Sequence, residues 1–115
     1  MSAITTHVLD TSRGRPAAGV RVRLEWLDPA EDIWEDVGEG ETDADGRLRT
    51  LLSEDEPLRT GHYRITFETG AYFASENVMS FYPEAQIMFT VRDAGEHYHV
   101  PLLLSPFGYS TYRGS

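Results

Sequence analysis

The chain has 115 residues, 40% hydrophobic and 25% charged, which suits a single domain over residues 1–115 with one modest core. No apolar run approaches the roughly 20 residues of a membrane span, and the N-terminal Met-Ser-Ala-Ile-Thr-Thr-His lacks the basic and apolar regions of a secretory signal. A net charge of −9 argues against nucleic acid as a partner, and the lack of cysteine excludes disulfides, zinc–thiolate sites and a cysteine nucleophile while fitting a cytoplasmic location.

Residues 3–10 alternate as a strand, with Ile4, Thr6 and Val8 on one face and Thr5, His7 and Leu9 on the other. Thr11 to Gly19, with two glycines and Pro16, reads as a loop. Val20 to Leu27 is the clearest strand: Val22, Leu24 and Trp26 point to a core while Arg21, Arg23 and Glu25 face water. Asp28-Pro29 breaks it, and Ile33 to Thr42 returns as a weaker, acidic, solvent-facing strand. Asp43-Ala-Asp-Gly46 is a tight turn that aims Arg47. Ser53 to Pro57 is an exposed acidic loop.

His62 to Glu68 alternates again, with Tyr63, Ile65 and Phe67 inward. Gly70 to Met79 has few β-branched residues and several helix formers, so one short helix is expected there. Ile87 to Arg92 is a strand with Ile87, Phe89 and Val91 inward, and Asp93-Ala-Gly95 turns it back. In the closing segment Tyr98, Val100, Leu102 and Leu104 share one face; His97, His99, Pro101, Leu103 and Ser105 share the other. Pro101 has no N–H to give a ladder, which points to a sheet edge, a bulge or a bond-free position. Leu103 on the polar face suits a subunit interface. A last strand runs from about Gly108 to Gly114. About seven short strands and one helix describe an all-β sandwich.

Four histidines are present, and His7 and His99 lie within strands on the face opposite the core. Each alone reads as a solvated surface histidine, as do His62 beside Gly61 and His97 ahead of its strand. Together with a turn-held arginine and an aromatic terminus, however, they suggest a site. All ten basic residues are arginines, the better side chain for bidentate recognition of oxygen-rich groups. Histidine exchanges protons near neutral pH, and a fixed arginine stabilises a developing oxyanion, so the pattern suits addition of water to a polarised carbonyl. No HExxH or similar spacing points to a metal, and no nucleophile elbow, P-loop or dinucleotide fingerprint is present. Asp43-Ala-Asp-Gly lacks the downstream bidentate Glu of a calcium loop and is explained by a plain turn.

Three stretches carry a family resemblance. Tyr112-Arg-Gly-Ser115, preceded by Leu104-Ser-Pro-Phe-Gly-Tyr-Ser-Thr111, resembles the signature of 5-hydroxyisourate hydrolases, the enzymatic members of the transthyretin family. Thr6-His-Val-Leu-Asp10 with Gly14-Arg-Pro-Ala17, and Thr42 to Arg47, are similar to its other signatures. The resemblance implies a transthyretin-like (prealbumin-like) sandwich of two four-stranded sheets with one short helix, assembled as a homotetramer, a dimer of dimers. Active sites would lie in the channel between dimers. It implies cofactor-free hydrolysis of the lactam of 5-hydroxyisourate to 2-oxo-4-hydroxy-4-carboxy-5-ureidoimidazoline in urate breakdown. The family's functional residues fall on His7, Arg47, His99, Tyr112, Arg113, Gly114 and Ser115. Hormone-binding transthyretins carry lysine, glutamate and threonine at the first three of these positions and lack the Tyr-Arg-Gly-Ser ending.

On this reading His7 or His99 accepts a proton from water, and the choice between them stays open. Arg47 and His7 hold the substrate and Arg47 meets the oxyanion. Tyr112 and Arg113 contact the flat ring. The hydroxyl and α-carboxylate of Ser115 orient a histidine or the water, so the terminus lies in the active site. No metal or membrane takes part. Two alternatives are a small-ligand carrier using the same channel without turnover, and a plain β-sandwich interaction module.

Overall fold

The computed structural model describes residues 2–115. Alternating sequences form the expected long strands: β1 (Ile4–Asp10), β3 (Arg21–Asp28), β4 (Ile33–Glu41), β6 (Gly61–Phe67), β7 (Ala85–Val91), β8 (Tyr98–Ser105) and β9 (Gly108–Thr111). Two-residue strands β2 (Arg15–Pro16), within the stretch expected as a loop, and β5 (Arg47–Leu48), directly after the expected turn, raise the total to nine among the described residues. They form because the outer edge of β1 would otherwise expose its backbone polar groups. One sheet runs β2-β1-β8-β9 with β5 also paired to β1, and the other runs β4-β3-β6-β7. The sandwich with one short helix is as expected, except that β5 makes the first sheet five-stranded.

β1 and β8, from opposite ends of the chain, pair in parallel over seven residues, Ile4↔Tyr98 through Asp10↔Leu104. Ile4, Val8, Leu102 and Leu104 from this ladder meet Val22, Leu24, Ile65 and Phe67 of the second sheet, all essentially inaccessible to solvent. Leu51 and Leu52, ahead of the acidic loop, join them. Trp26, Ile87 and Phe89, expected inward, are only partly buried. Trp26 follows an irregularity between Leu24 and Glu25, and its indole N–H reaches the Thr60 carbonyl at 3.2 Å. Ile87 and Phe89 lie on β7, an edge strand.

The helix α1 (Thr69–Ser75) ends sooner than its composition suggests. Asn77 takes φ +58°, and the N–H groups of Asn77 and Val78 return to the carbonyls of Ala74 and Phe73. That is a Schellman closure with asparagine in the usual place of glycine. The helix is tied to β1 by Tyr72, whose hydroxyl donates to the buried Asp10 carboxylate at 2.8 Å. Burial pushes the Asp10 carboxyl up, but hydrogen bonds from the Ser12 and Tyr72 hydroxyls and the Arg13 and Ser12 backbone N–H groups outweigh it and hold it below the usual range. A depressed carboxyl stabilises the fold above its unfolded pKa, about 3.9, and loses that contribution as pH falls through the folded value. Tyr72→Phe should therefore cost about 1.5–3 kcal/mol in urea unfolding at pH 7, the worth of a hydrogen bond to a charged group. The difference should shrink below about pH 4; a pH-independent difference would contradict the assignment.

Candidate active site

The outer face of β1 is the floor of the site. Its pairing sets His7 beside Arg47 of β5 on one side and Pro101 of β8 on the other, with Thr5 beside His99. Arg47 is aimed by the turn before it. The Asp43 carboxylate accepts the N–H groups of Asp45 at 2.9 Å and Arg47 at 3.0 Å, and the Asp43 N–H donates to the Arg47 carbonyl at 2.9 Å. The bond from the Arg47 N–H leads the causes that hold the Asp43 carboxyl below its ordinary value. Gly46, at φ +75°, closes the turn so tightly that a Cβ there would lie 2.4 Å from the Val8 carbonyl oxygen.

His7 Nε2 lies 2.9 Å from the Asp45 carbonyl oxygen. A carbonyl only accepts, so Nε2 is the donor in this contact. His99 Nδ1 lies 2.8 Å from the Thr5 hydroxyl. Burial, then the Arg47 guanidinium and the rings of His7 and His97, push the His99 pKa below 6.5 against an interaction with the Thr5 backbone that raises it. Gly114 bridges to His99, its N–H donating to the His99 carbonyl at 2.8 Å. A Cβ on Gly114 would sit 2.6 Å from His99 Cδ2, so only glycine lets the ring lie where it does.

These elements enclose a cleft of about 170 Å³ lined by Thr5, Thr6, Arg47, Arg49, His97, His99 and Ser115. Among the described residues no carboxylate forms an ion pair with Arg47, whereas Arg49 reaches Asp43 at 3.3 Å. A strongly acidic chain thus concentrates positive charge in one polar depression, which draws anions and oxygen-rich molecules. A wider depression of about 430 Å³ lies elsewhere, but Asp36, Glu39, Asp55 and Glu56 line it with only Arg23 as a cation.

Arg47, His99 and Ser115 come together in the cleft, and His7 stands at its edge through its pairing with Arg47. Tyr112 and Arg113 do not join them within one chain. They line a separate groove of about 240 Å³ with Ile87, Phe89, Tyr98 and Val100. Arg113 lies over the Tyr98 ring and pairs with Glu96 at 2.8 Å. Pro101 explains the divergence: β8–β9 pairing runs from Ser105↔Gly108 to Leu102↔Thr111, lapses opposite Tyr112, and resumes at His99↔Gly114. Pro101 is thus the bond-free position inside a central strand rather than a sheet edge, and the Thr111 hydroxyl donates to its carbonyl at 2.7 Å. His62 is exposed against Thr90. Thr5, Thr6, Arg49 and His97 were not read as site residues from the sequence. The legible signals were the two-residue spacings of Thr5 with His7, Arg49 with Arg47 and His97 with His99. A half-buried imidazole held neutral, beside a guanidinium with no ion-pair partner, can take a proton from water while positive charge meets the developing oxyanion.

Comparison with known proteins converges on one family. The model of the HIUase/transthyretin family matches residues 4–114. A 5-hydroxyisourate hydrolase of Salmonella dublin is 46% identical over 97% of this chain and 80% of its own length. The structure of Klebsiella pneumoniae 5-hydroxyisourate hydrolase is 42% identical with a TM-score of 0.83, covering 97% of this chain and 98% of its own. Sea bream transthyretin in complex with thyroxine is 31% identical with a TM-score of 0.90, covering 98% and 95%. This chain belongs to the HIUase/transthyretin family.

Proposed function

We propose that the chain hydrolyses 5-hydroxyisourate in urate catabolism, as a cofactor-free cyclic-amide hydrolase acting in the cytoplasm. The observation that carries this reading is the pairing of an arginine free of ion pairs with a neutral, hydrogen-bonded histidine in one basic cleft, in a chain 46% identical to a protein of that name. His99 Nε2, the ring nitrogen not engaged by Thr5, takes a proton from water as its oxygen bonds to the ring carbonyl carbon. Arg47 donates to the resulting oxyanion. The C–N bond then breaks, and His99 returns the proton to the departing nitrogen, which becomes the ureido group. His7, with Nε2 committed to the Asp45 carbonyl, holds the substrate beside Arg47. The Ser115 hydroxyl, at the rim of the cleft, orients the water.

At about 170 Å³ the cleft is smaller than the roughly 300 Å³ and upward of small-molecule sites. The reading therefore includes a second chain that covers each cleft in a homotetramer, with half-buried Leu103 at the interface and the ring contacts of Tyr112 and Arg113 supplied where chains meet. A carrier reading draws support from the closer backbone overlap with sea bream transthyretin, 0.90 against 0.83. Fold alone does not decide function. The charged, histidine-bearing cleft and the higher identity to the hydrolase, 42% against 31%, favour turnover.

His99→Asn should lower kcat/KM for freshly generated 5-hydroxyisourate by about 10²–10⁴-fold, the worth of a general base. Arg47→Gln should cost about 10²–10³-fold in kcat, with native circular dichroism in both. Wild-type rates in either variant would sink the assignment. Because His99 must be neutral to act, activity should fall as pH drops through its pKa, which is held below 6.5. The acid limb of the kcat/KM profile should thus have its midpoint below 6.5; a midpoint at or above that value would contradict the assigned base.

A further inference from the structure

The Thr5 hydroxyl touches two histidines at once: His99 Nδ1 at 2.8 Å and His97 Nε2 at 3.1 Å. Thr5 is only 4% exposed, so water has little access to it. A hydroxyl has one proton to donate, and a neutral imidazole has one donor nitrogen and one acceptor nitrogen. With the hydroxyl proton directed at one of the two rings, the three groups have two consistent arrangements when both rings are neutral. In one, Thr5 donates to His97 Nε2 and accepts the Nδ1–H of His99, leaving His99 Nε2 as a bare lone pair. In the other, His97 Nε2–H donates to Thr5, and Thr5 donates to His99 Nδ1. The proton of His99 then sits on Nε2, which cannot accept one from water.

The surroundings choose between them. Arg47 and Ser115 share the cleft with His99, and Gly114 lies against His99 Cδ2, the carbon next to Nε2. The other titratable or charged side chains facing this ring are His7 from β1, Arg49 after β5, and His97 ahead of β8. Glu96 is occupied by Arg113. The positive charge of Arg47 in the shared cleft favours a bare lone pair on Nε2 over the Nε2–H tautomer. His97 is exposed, so water can accept its Nδ1–H.

We propose that Thr5 is a positioning residue that selects the tautomer of His99: by donating its proton to His97 it receives the Nδ1–H of His99 and keeps Nε2 free for the attacking water. This rests on the hydrolase reading, and it assigns to Thr5 and His97 a task that neither performs by touching substrate. A wrongly placed imidazole proton disables a general base even where geometry is intact.

Long-range ¹H–¹⁵N correlation spectra of the ¹⁵N-histidine-labelled protein at pH 7.5 read the tautomers without substrate. In the wild type, His99 and His97 should both carry the proton on Nδ1; an Nε2–H form of His99 overturns the proposal outright. In Thr5→Val, which removes the hydroxyl at nearly constant shape, His99 should shift toward Nε2–H. Its kcat should fall on the order of tenfold or more, with KM changed less than about twofold. Thr5→Ser should restore both readings. An unchanged tautomer in Thr5→Val, a shifted tautomer with wild-type kcat, or no rescue by serine would each refute the assignment. Failure of the wild type to turn over 5-hydroxyisourate would instead defeat the hydrolase reading, while the spectra would still decide the tautomer.

Discussion

Seven successive residues of β1 pair in parallel with seven of β8, and this ladder is the constraint on which both the core and the cleft depend. Parallel neighbours point their paired side chains to the same side, so one register fixes two surfaces at once. Inward, Ile4, Val8, Leu102 and Leu104 build the sandwich core. Outward, Thr5 and His99, 94 positions apart in sequence, come within a hydrogen bond. A slip of one residue would exchange the two sets, burying His99 in the core and exposing leucines to water. Core stability thus enforces the placement of Thr5 against His99.

The edge of β1 away from β8 completes the arrangement. There the Asp43–Gly46 turn docks on the strand, the Gly46 carbonyl accepting the Val8 N–H at 2.7 Å, and delivers Arg47 beside His7. The Asp43 carboxylate is spent on backbone N–H groups and on Arg49, and among the described residues no carboxylate forms an ion pair with Arg47. In a chain of net charge −9, Arg47 and Arg49 give the cleft a local excess of positively charged side chains. Burial first, and then the same charge, disfavour a protonated His99, so the charge that attracts substrate also helps ready the base.

Much of this was legible in the sequence. Period-two alternation located the long strands and their faces, and the Asp-Gly-Arg corner announced a rigid turn. The short strands β2 and β5 were not legible, because two residues carry no period and exist only through pairing with β1. The helix ran shorter than its composition implied because Asn77 adopts positive φ, a choice that residue type permits but does not dictate. Thr5 looked like an ordinary β-branched strand residue until the register set it between two rings. Pro101 was recognisable as a break in hydrogen bonding, yet only the sheet order shows that the break lies inside a central strand and separates Tyr112 from the segment that rejoins at Gly114.

Turnover is the central claim, since a carrier of the same fold would share nearly every structural feature. The direct measurement mixes freshly generated 5-hydroxyisourate with substoichiometric protein and follows the ultraviolet decay against the spontaneous rate. Hydrolysis predicts a first-order rate constant that rises in proportion to protein concentration, with many equivalents consumed per chain. A change in signal that stops at one equivalent per chain or fewer, with the remaining substrate decaying at its spontaneous rate, would contradict it.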